Sequence, residues 1–372
     1  MSQKYEETVE FDAKMMRRCL FLASRAKGNV SPNPMVGAVV VYRGKIIGEG
    51  FHRRYGGPHA EVHAIESVKN KQLLSDSTLY VSLEPCSHWG KTPPCADLII
   101  ENKIPRVVIA AVDPFAKVCG NGIRKLKEAG IDVTVGTLEK EAIFINRRFF
   151  CFHQNKRPYI ILKWAETSDG FIDEIRAPEN ITSPKWITND AAKVLVHRWR
   201  SEEDAILIGG KTALMDNPQL SIRYYAGTNP LRIVIDSQGN LPETLNIFSS
   251  EQPTLLFTSF PQKYEHLWVS VAEFDKTADL HQILSKLQSM NVQSIIVEGG
   301  TKTLQRFLDQ NLYDEIRRFI GEVSFGNGIK APIINSQIPQ KIDKIGNCRL
   351  LTYYNSEFYV PVLTQFPGNT FF

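Results

Sequence analysis

Cysteine is scarce in this chain: there are six among 372 residues, at positions 19, 86, 95, 119, 151 and 348. Only Cys86 and Cys95 lie close together. That excludes a disulfide framework and fits reduced thiols plus one special site, as expected of a cytoplasmic protein. No apolar run approaches the roughly 18 residues needed to cross a bilayer. The first seven residues have neither the basic nor the apolar region of a secretory signal, so no membrane partner is expected. Charge of one sign is missing too: 44 basic residues face 40 acidic ones, a net charge of +4. Coating a nucleic acid needs a concentrated basic face, so no nucleic-acid partner is expected, whereas anionic small molecules such as phosphate esters remain compatible. No Gly-x-Gly-x-x-Gly stands at a strand-to-helix turn, so a Rossmann fingerprint is lacking. Gly210-Lys211-Thr212 looks like the tail of a P-loop, but Ala205 stands where its first glycine belongs.

What remains is the mix of a soluble globular protein, with 43% hydrophobic and 23% charged residues. The length suggests two or three domains. The spacing predicts a helix over 11–26, then strands over 35–42 and 45–51 flanking Arg43-Gly44 as a hairpin turn. A helix over 59–69, a strand over 78–83, a helix over 94–102 and a buried strand over 106–112 follow. A helix over 122–129, a strand over 131–135 and a closing helix over 138–149 complete the series, which argues for a layered α/β domain. Residues 147–158 mix basic, aromatic and polar types without a period, which puts a domain boundary there: one domain over 1–150, a second over 157–372. The second opens with a strand over 159–163 and a helix over 190–200. Strands over 205–208, 231–235 and 294–297 follow.

The strongest chemistry lies in His59-Ala60-Glu61 and in the loop from Pro85-Cys86 to Cys95. One imidazole and two thiolates suit Zn²⁺, and three protein ligands leave a fourth position open, the mark of a catalytic site. A water there is acidified by the metal, and Glu61 is placed to shuttle protons. His-x-Glu with a later Pro-Cys-x-x-Cys is the signature of zinc deaminases, although here eight residues, not two, separate the cysteines. Three other readings stay open on these residues alone. The cysteines could be core residues. His88 could close a structural zinc shell. His59 and His63, at i and i+4, could bind metal without them.

In the second half, Gly209-Gly210-Lys211-Thr212 and Gly299-Gly300-Thr301-Lys302-Thr303 each follow an apolar strand and open a helix. Backbone N–H groups and the helix dipole make such turns anion sites. They could equally be tight turns with glycine for backbone reasons only.

The flanks decide between these readings. The string from Ser31-Pro32-Asn33-Pro34-Met35 to Val40, His59-Ala60-Glu61 and the long Cys86-to-Cys95 loop together resemble the deaminase half of the bifunctional riboflavin-biosynthesis deaminase/reductases, whose zinc loop has this spacing. Residues 157–365 resemble the reductase half through Arg157 to Lys163, Trp186-Ile187-Thr188, residues 209–223, Leu231 to Asp236, and Val297 to Thr301. The resemblance implies a cytidine-deaminase-like α/β/α domain followed by a dihydrofolate-reductase-like α/β domain. It implies His59, Cys86 and Cys95 as ligands of one zinc ion, Glu61 as the proton-transferring residue and Asn33 as a pyrimidine contact. For the reductase it implies NADPH, held by Ala165 or Trp164, Trp186, Thr212, Asp216 and the run Gly300, Thr301, Lys302, Thr303, Leu304, Gln305 and Arg306. Arg200, Leu220, Arg223 and Glu298 match contacts to the phosphoribosyl substrate, and Lys163 and Asp216 match residues near the reacting sugar. A family serine falls on Pro184, with Ser183 as its substitute. The implied activity is hydrolytic deamination of 2,5-diamino-6-ribosylamino-4(3H)-pyrimidinone 5′-phosphate, then reduction of its ribosyl group to ribityl, by a protein expected to be a homo-oligomer. A base deaminase acting on tRNA or single-stranded DNA would need a basic, aromatic-lined groove, which the near-neutral charge argues against. A zinc-stabilised scaffold would have no use for Glu61.

Overall fold

The computed structural model describes residues 2–89, 93–115, 118–176, 185–249, 252–274, 280–335 and 338–355, with side chains from Thr8 onward. No described helix is long and apolar enough to cross a membrane. The chain divides after Asn155 into two compact units.

The first unit runs α1 (Ser2–Ser24), β1 (Gly37–Tyr42), β2 (Lys45–Phe51), α2 (Ala60–Ser67), β3 (Ser77–Leu83) and α3 (Cys95–Glu101). It continues β4 (Arg106–Ala111), α4 (Asn121–Glu128), β5 (Asp132–Val135), α5 (Glu139–Ile145) and α6 (Arg147–Asn155). The sheet has the order β2-β1-β3-β4-β5; β1 is antiparallel to β2 and β3, and β3, β4 and β5 are parallel. Strands β1, β3 and β4 are near-continuous apolar runs because both faces are covered. Arg43 and Gly44, at φ 46° and 75°, make the two-residue turn that pairs Tyr42 with Lys45. Val40, Ala64, Ile65, Val81, Ile99 and Val107 share one core cluster.

Three expectations need correction. Helix α1 starts nine residues before residue 11, where the chain carries no apolar stripe; residues 8–10 are exposed. The expected helix over 138–149 breaks at Asn146. The Asn146 amide accepts from Met35 N at 2.8 Å and donates to Met35 O at 2.9 Å. The aperiodic stretch 147–158 holds α6, which buries Phe149, Phe150, Cys151 and Phe152.

The second unit runs β6 (Tyr159–Glu166), β7 (Phe171–Asp173), α7 (Asp190–Glu202), β8 (Ala205–Gly209), α8 (Gly210–Asp216), β9 (Leu231–Asp236), β10 (Thr254–Thr258) and β11 (Val269–Glu273). It continues α9 (Leu280–Ser289), β12 (Ser294–Val297), α10 (Thr301–Asp309), β13 (Glu315–Ile320), β14 (Ile329–Lys330), β15 (Lys341–Ile345) and β16 (Cys348–Tyr354). Nine strands form one sheet, β11-β10-β9-β8-β12-β6-β13-β16-β15, in which β16 alone runs antiparallel to its neighbours. Strands β7 and β14 pair as a separate ribbon. In open sheets of this kind ligands bind beyond the carboxyl ends of the strands.

Candidate active sites

Helix α2 lies on β2 at two glycines. A Cβ on Gly50 would sit 2.4 Å from His63 Cβ and 2.6 Å from Ala64 N, and one on Gly48 would sit 2.4 Å from Ala64 O. Only glycine allows that approach, and it fixes where α2 begins. His59 is the residue before the helix, and Glu61 lies in its first turn. Cys95 opens α3 behind Pro94. His59 Nδ1 is 3.3 Å from Cys95 Sγ and 3.5 Å from Cys86 Sγ, and all three ligand atoms lie within 4.8 Å of one another. Tetrahedral zinc with ordinary bonds holds such atoms about 3.5 to 3.8 Å apart, so donor set and spacing both fit the ion. Among the described residues this is the only such ligand group. His88 and His63 are not in it; His88 is exposed, its ring 6.5 Å from that of Phe115.

Hydrogen bonds from the Cys95 thiol, from His59 and from Cys95 N–H (3.3 Å) pull the Cys86 thiol below its ordinary value, toward the thiolate that metals bind. Glu61 is 3% exposed. Burial pushes its carboxyl up to about 7 against the pull of His59, in the range where an acid can both take and give a proton.

Asn33 Nδ2 lies 3.0 Å from His52 Nε2, and His52 Nδ1 lies 3.0 Å from Pro58 O. A carbonyl only accepts, so Nδ1 carries the proton and Nε2 accepts from Asn33. Asn33 therefore keeps Oδ1 as its acceptor. Glu84 is buried, and its carboxylate accepts N–H bonds from Gly120 (2.9 Å), Gly122 (2.9 Å), Asp113 (3.3 Å) and Ile123 (3.3 Å). A Cβ on Gly122 would meet Pro85 O at 2.0 Å, so the metal loop is clamped to the start of α4. Burial pushes the neighbouring Asp113 carboxyl up to about 7, with Glu84 and Cys86 adding to it. Sequence reasoning missed His52, Glu84 and Asp113; the one written trace is an acid placed directly before Pro85-Cys86.

In the second unit a cleft of about 1150 Å³ opens at the ends of β6, β8 and β12. Lys163, Trp164 and Ala165 line it from β6, Thr212 and Asp216 from α8, and Arg200 from α7. Trp186, Leu220, Arg223 and Glu298 line it from the loops. Gly300, Thr301, Lys302, Thr303, Leu304 and Arg306 line it around the start of α10. Gln305 does not: its amide donates to Asp309 Oδ1 and accepts from Ile333 N, both at 2.8 Å. Ser183 and Pro184 lie outside the described residues.

The two Gly-Gly turns interlock. A Cβ on Gly209 would lie 2.5 Å from Thr303 Oγ1, and one on Gly300 would lie 3.0 Å from Thr212 Oγ1. Each turn's glycine thus seats the other turn's threonine, and two helix starts converge on the cleft. Glu298 accepts from Arg200 Nε (2.9 Å) and Nη2 (2.7 Å) and from Lys163 Nζ (3.2 Å). Burial alone would raise its carboxyl, but Arg200 and Lys163 hold it well below the usual range. Arg200 Nη1 also donates to Ser221 O at 3.2 Å. Arg223 is exposed at the cleft and meets Gln219 Oε1 at 3.1 Å.

Comparison with known proteins places both sites in one family. Residues 9–111 match the cytidine and deoxycytidylate deaminase zinc-binding region, and residues 158–353 match the RibD C-terminal domain. The riboflavin biosynthesis protein RibD of Aquifex aeolicus is 40% identical over 326 residues, 86% of this chain and 89% of that protein. Its counterpart from Actinobacillus pleuropneumoniae is 36% identical over 91% of each chain. The crystal structure of a diaminohydroxyphosphoribosylaminopyrimidine deaminase/5-amino-6-(5-phosphoribosylamino)uracil reductase from Thermotoga maritima superposes with a TM-score of 0.83. It is 37% identical and covers 93% of this chain and 99% of its own. The chain belongs to the RibD family: it is a bifunctional enzyme of riboflavin biosynthesis, joining a cytidine-deaminase-like domain to a reductase domain.

Proposed function

We propose that the first unit hydrolyses the 2-amino group from 2,5-diamino-6-ribosylamino-4(3H)-pyrimidinone 5′-phosphate, and that the second reduces the ribosyl group to ribityl with NADPH. The observation that carries the first half is the trio His59, Cys86 and Cys95 with buried Glu61 beside it. Zinc held by that trio would supply an activated water at the position left open. Glu61 accepts a proton from the water and passes it to the departing amine. Asn33, oriented by His52, offers Oδ1 to an N–H of the pyrimidine. In the second unit NADPH supplies a hydride to C1′ of the ribose. The interlocked turns at Gly209-Gly210 and Gly299-Gly300 would hold its pyrophosphate through backbone N–H groups. Lys163 and Asp216 stand at the reacting sugar, Glu298 is held ionised by Arg200, and Arg223 takes the substrate phosphate as a bidentate donor. The two activities divide at the boundary expected between residues 150 and 157. The enzyme is taken to be a cytoplasmic homo-oligomer that binds neither nucleic acid nor membrane.

Elemental analysis and ammonia release together test the deaminase half. Glu61→Gln should keep about one zinc per chain and lose roughly 10²- to 10⁴-fold in ammonia release, because an amide keeps the shape but cannot exchange protons. Cys86→Ser or Cys95→Ser should lose zinc and deamination together. Full zinc in both serine variants, or near-normal ammonia release by Glu61→Gln, would remove these residues from the roles given. Equal rates of reduction with NADH and NADPH would overturn the cofactor assignment.

A further inference from the structure

Asp216 closes α8, and its carboxylate faces Arg176, a residue that the functional reading above leaves unused. Arg176 Nη2 lies 2.7 Å from Asp216 Oδ1, an ion pair rather than an aligned hydrogen bond, and 2.7 Å from Asp173 Oδ2. Arg176 Nε donates to Asp173 Oδ1 at 3.1 Å, and Nη1 donates to Met215 O at 3.1 Å. One guanidinium therefore joins the last residue of β7 to the last turn of α8. Its side chain is only 7% exposed, and all three charged residues line the cleft.

We infer that Arg176 is a positioning residue for the reduction: it clamps the Asp216 carboxylate to β7 and so sets the direction in which that carboxylate faces the cleft. The inference rests on the reading that Asp216 stands at the reacting sugar.

Several features separate this contact from an ordinary surface ion pair. Asp216 lies in the last turn of a helix, where the negative end of the dipole disfavours a carboxylate, and it is half-buried. A cation at that point offsets both penalties. The same cation caps Met215 O, one of the last-turn carbonyls that has no partner within the helix. Beyond Asp216 the chain leaves the helix at Asn217, at φ 38°, so no further turn braces the carboxylate from the C-terminal side. The planar fork of arginine can serve two carboxylates and a carbonyl in one fixed geometry, which lysine cannot reproduce. The groups acting on the Asp216 carboxyl are opposed. Burial raises it, Arg176 lowers it and Asp173 raises it.

The opposition gives a test that a merely structural arginine would fail. In the full-length protein, Arg176→Gln, Arg176→Lys, Asp173→Asn and Asp216→Ala are assayed for reduction of pre-deaminated substrate, for ammonia release and for NADPH binding by fluorescence. Arg176→Gln should lower kcat for reduction by about tenfold to a hundredfold, the loss typical of a misplaced reacting group. Ammonia release should stay within about twofold of wild type, a change too small to count as a lost interaction, and any loss of NADPH affinity should be smaller than the loss in kcat. The acid limb of the reduction pH profile should move up in Arg176→Gln, which removes the opposite charge, and down in Asp173→Asn, which removes the like charge. Arg176→Lys should restore the limb but not the full rate. Reduction by Arg176→Gln within about twofold of wild type, with Asp216→Ala strongly impaired, overturns the clamp alone. An unimpaired Asp216→Ala overturns the underlying reading and the clamp with it. If Arg176→Gln proves unstable, Asp173→Asn and Arg176→Lys decide: pH limbs that coincide with wild type overturn the inference.

Discussion

His197 shows how much one side chain can hold in place. It is 4% exposed at the edge of the cleft, and its Nδ1 accepts the backbone N–H of Arg223 at 3.1 Å. Tyr224 packs edge-on against the ring, with centroids 4.9 Å apart. Burial, then Arg200 and Arg223, pulls its pKa down to about 4, with Glu298 opposing. An unfolded histidine takes up its proton near pH 6.5, so between that value and about 4 the unfolded chain binds more protons than the folded one. The stabilisation from His197 is therefore complete above about pH 6.5 and is lost as pH falls toward about 4. His197→Asn keeps an acceptor for Arg223 N–H and removes the titration. Urea midpoints measured from about pH 7 down to about pH 4.5 should fall more steeply for wild type than for this variant. Parallel curves would show that His197 does not titrate in the way its surroundings dictate.

At the scale of elements, the contact of α2 with β2 governs the metal centre. Gly50→Ala would drive a methyl group into the backbone of α2, where no side-chain rotation relieves it. Overpacking of this kind costs about 1 to 3 kcal/mol. The expected outcome is a lower melting temperature together with a larger fractional loss of zinc occupancy, because His59 and Glu61 move with the helix. Unchanged zinc affinity in a destabilised Gly50→Ala would show that the ligands are placed independently of α2. The elements most legible in the sequence were those whose signal is local. The apolar runs of β1, β3, β4 and β12 and the Arg43-Gly44 turn carry their structure in their own composition. The break between α5 and α6 was not legible, because it depends on Asn146 bonding Met35, 111 residues away. Glu84 and His52 were hidden for the same reason: their partners are brought to them only by the fold. The zinc trio could be narrowed by residue identity, but the long Cys86-to-Cys95 spacing left other readings open until the flanking strings supplied the family resemblance. The run from Gly300 to Arg306 could be read only in part. Successive residues of a helix turn by about 100°, so a continuous string cannot all face one cleft, and Gln305 turns away.

For the whole molecule, the zinc trio and the cleft belong to different units, on either side of Asn155. Sites built from separate residues without shared partners behave almost independently. Glu61→Gln should therefore leave reduction of pre-deaminated substrate nearly intact, while Lys163→Ala or Asp216→Ala should depress reduction and spare ammonia release. Both half-reactions, each assayed with its own substrate on the same three variants, check this. Loss of reduction in a folded, zinc-loaded Glu61→Gln would mean that the sites are coupled. The Glu84 clamp carries this independence one step further. Four backbone N–H groups hold the Pro85-Cys86 loop in shape through a buried carboxylate, and the first unit has its own apolar core. In small zinc domains the ion is the folding energy, and a chelator unfolds them. Here a chelator would act as a reversible valve: it would silence one half of a two-step catalyst, leave the other half running on supplied intermediate, and let added zinc reopen the first step without refolding the protein.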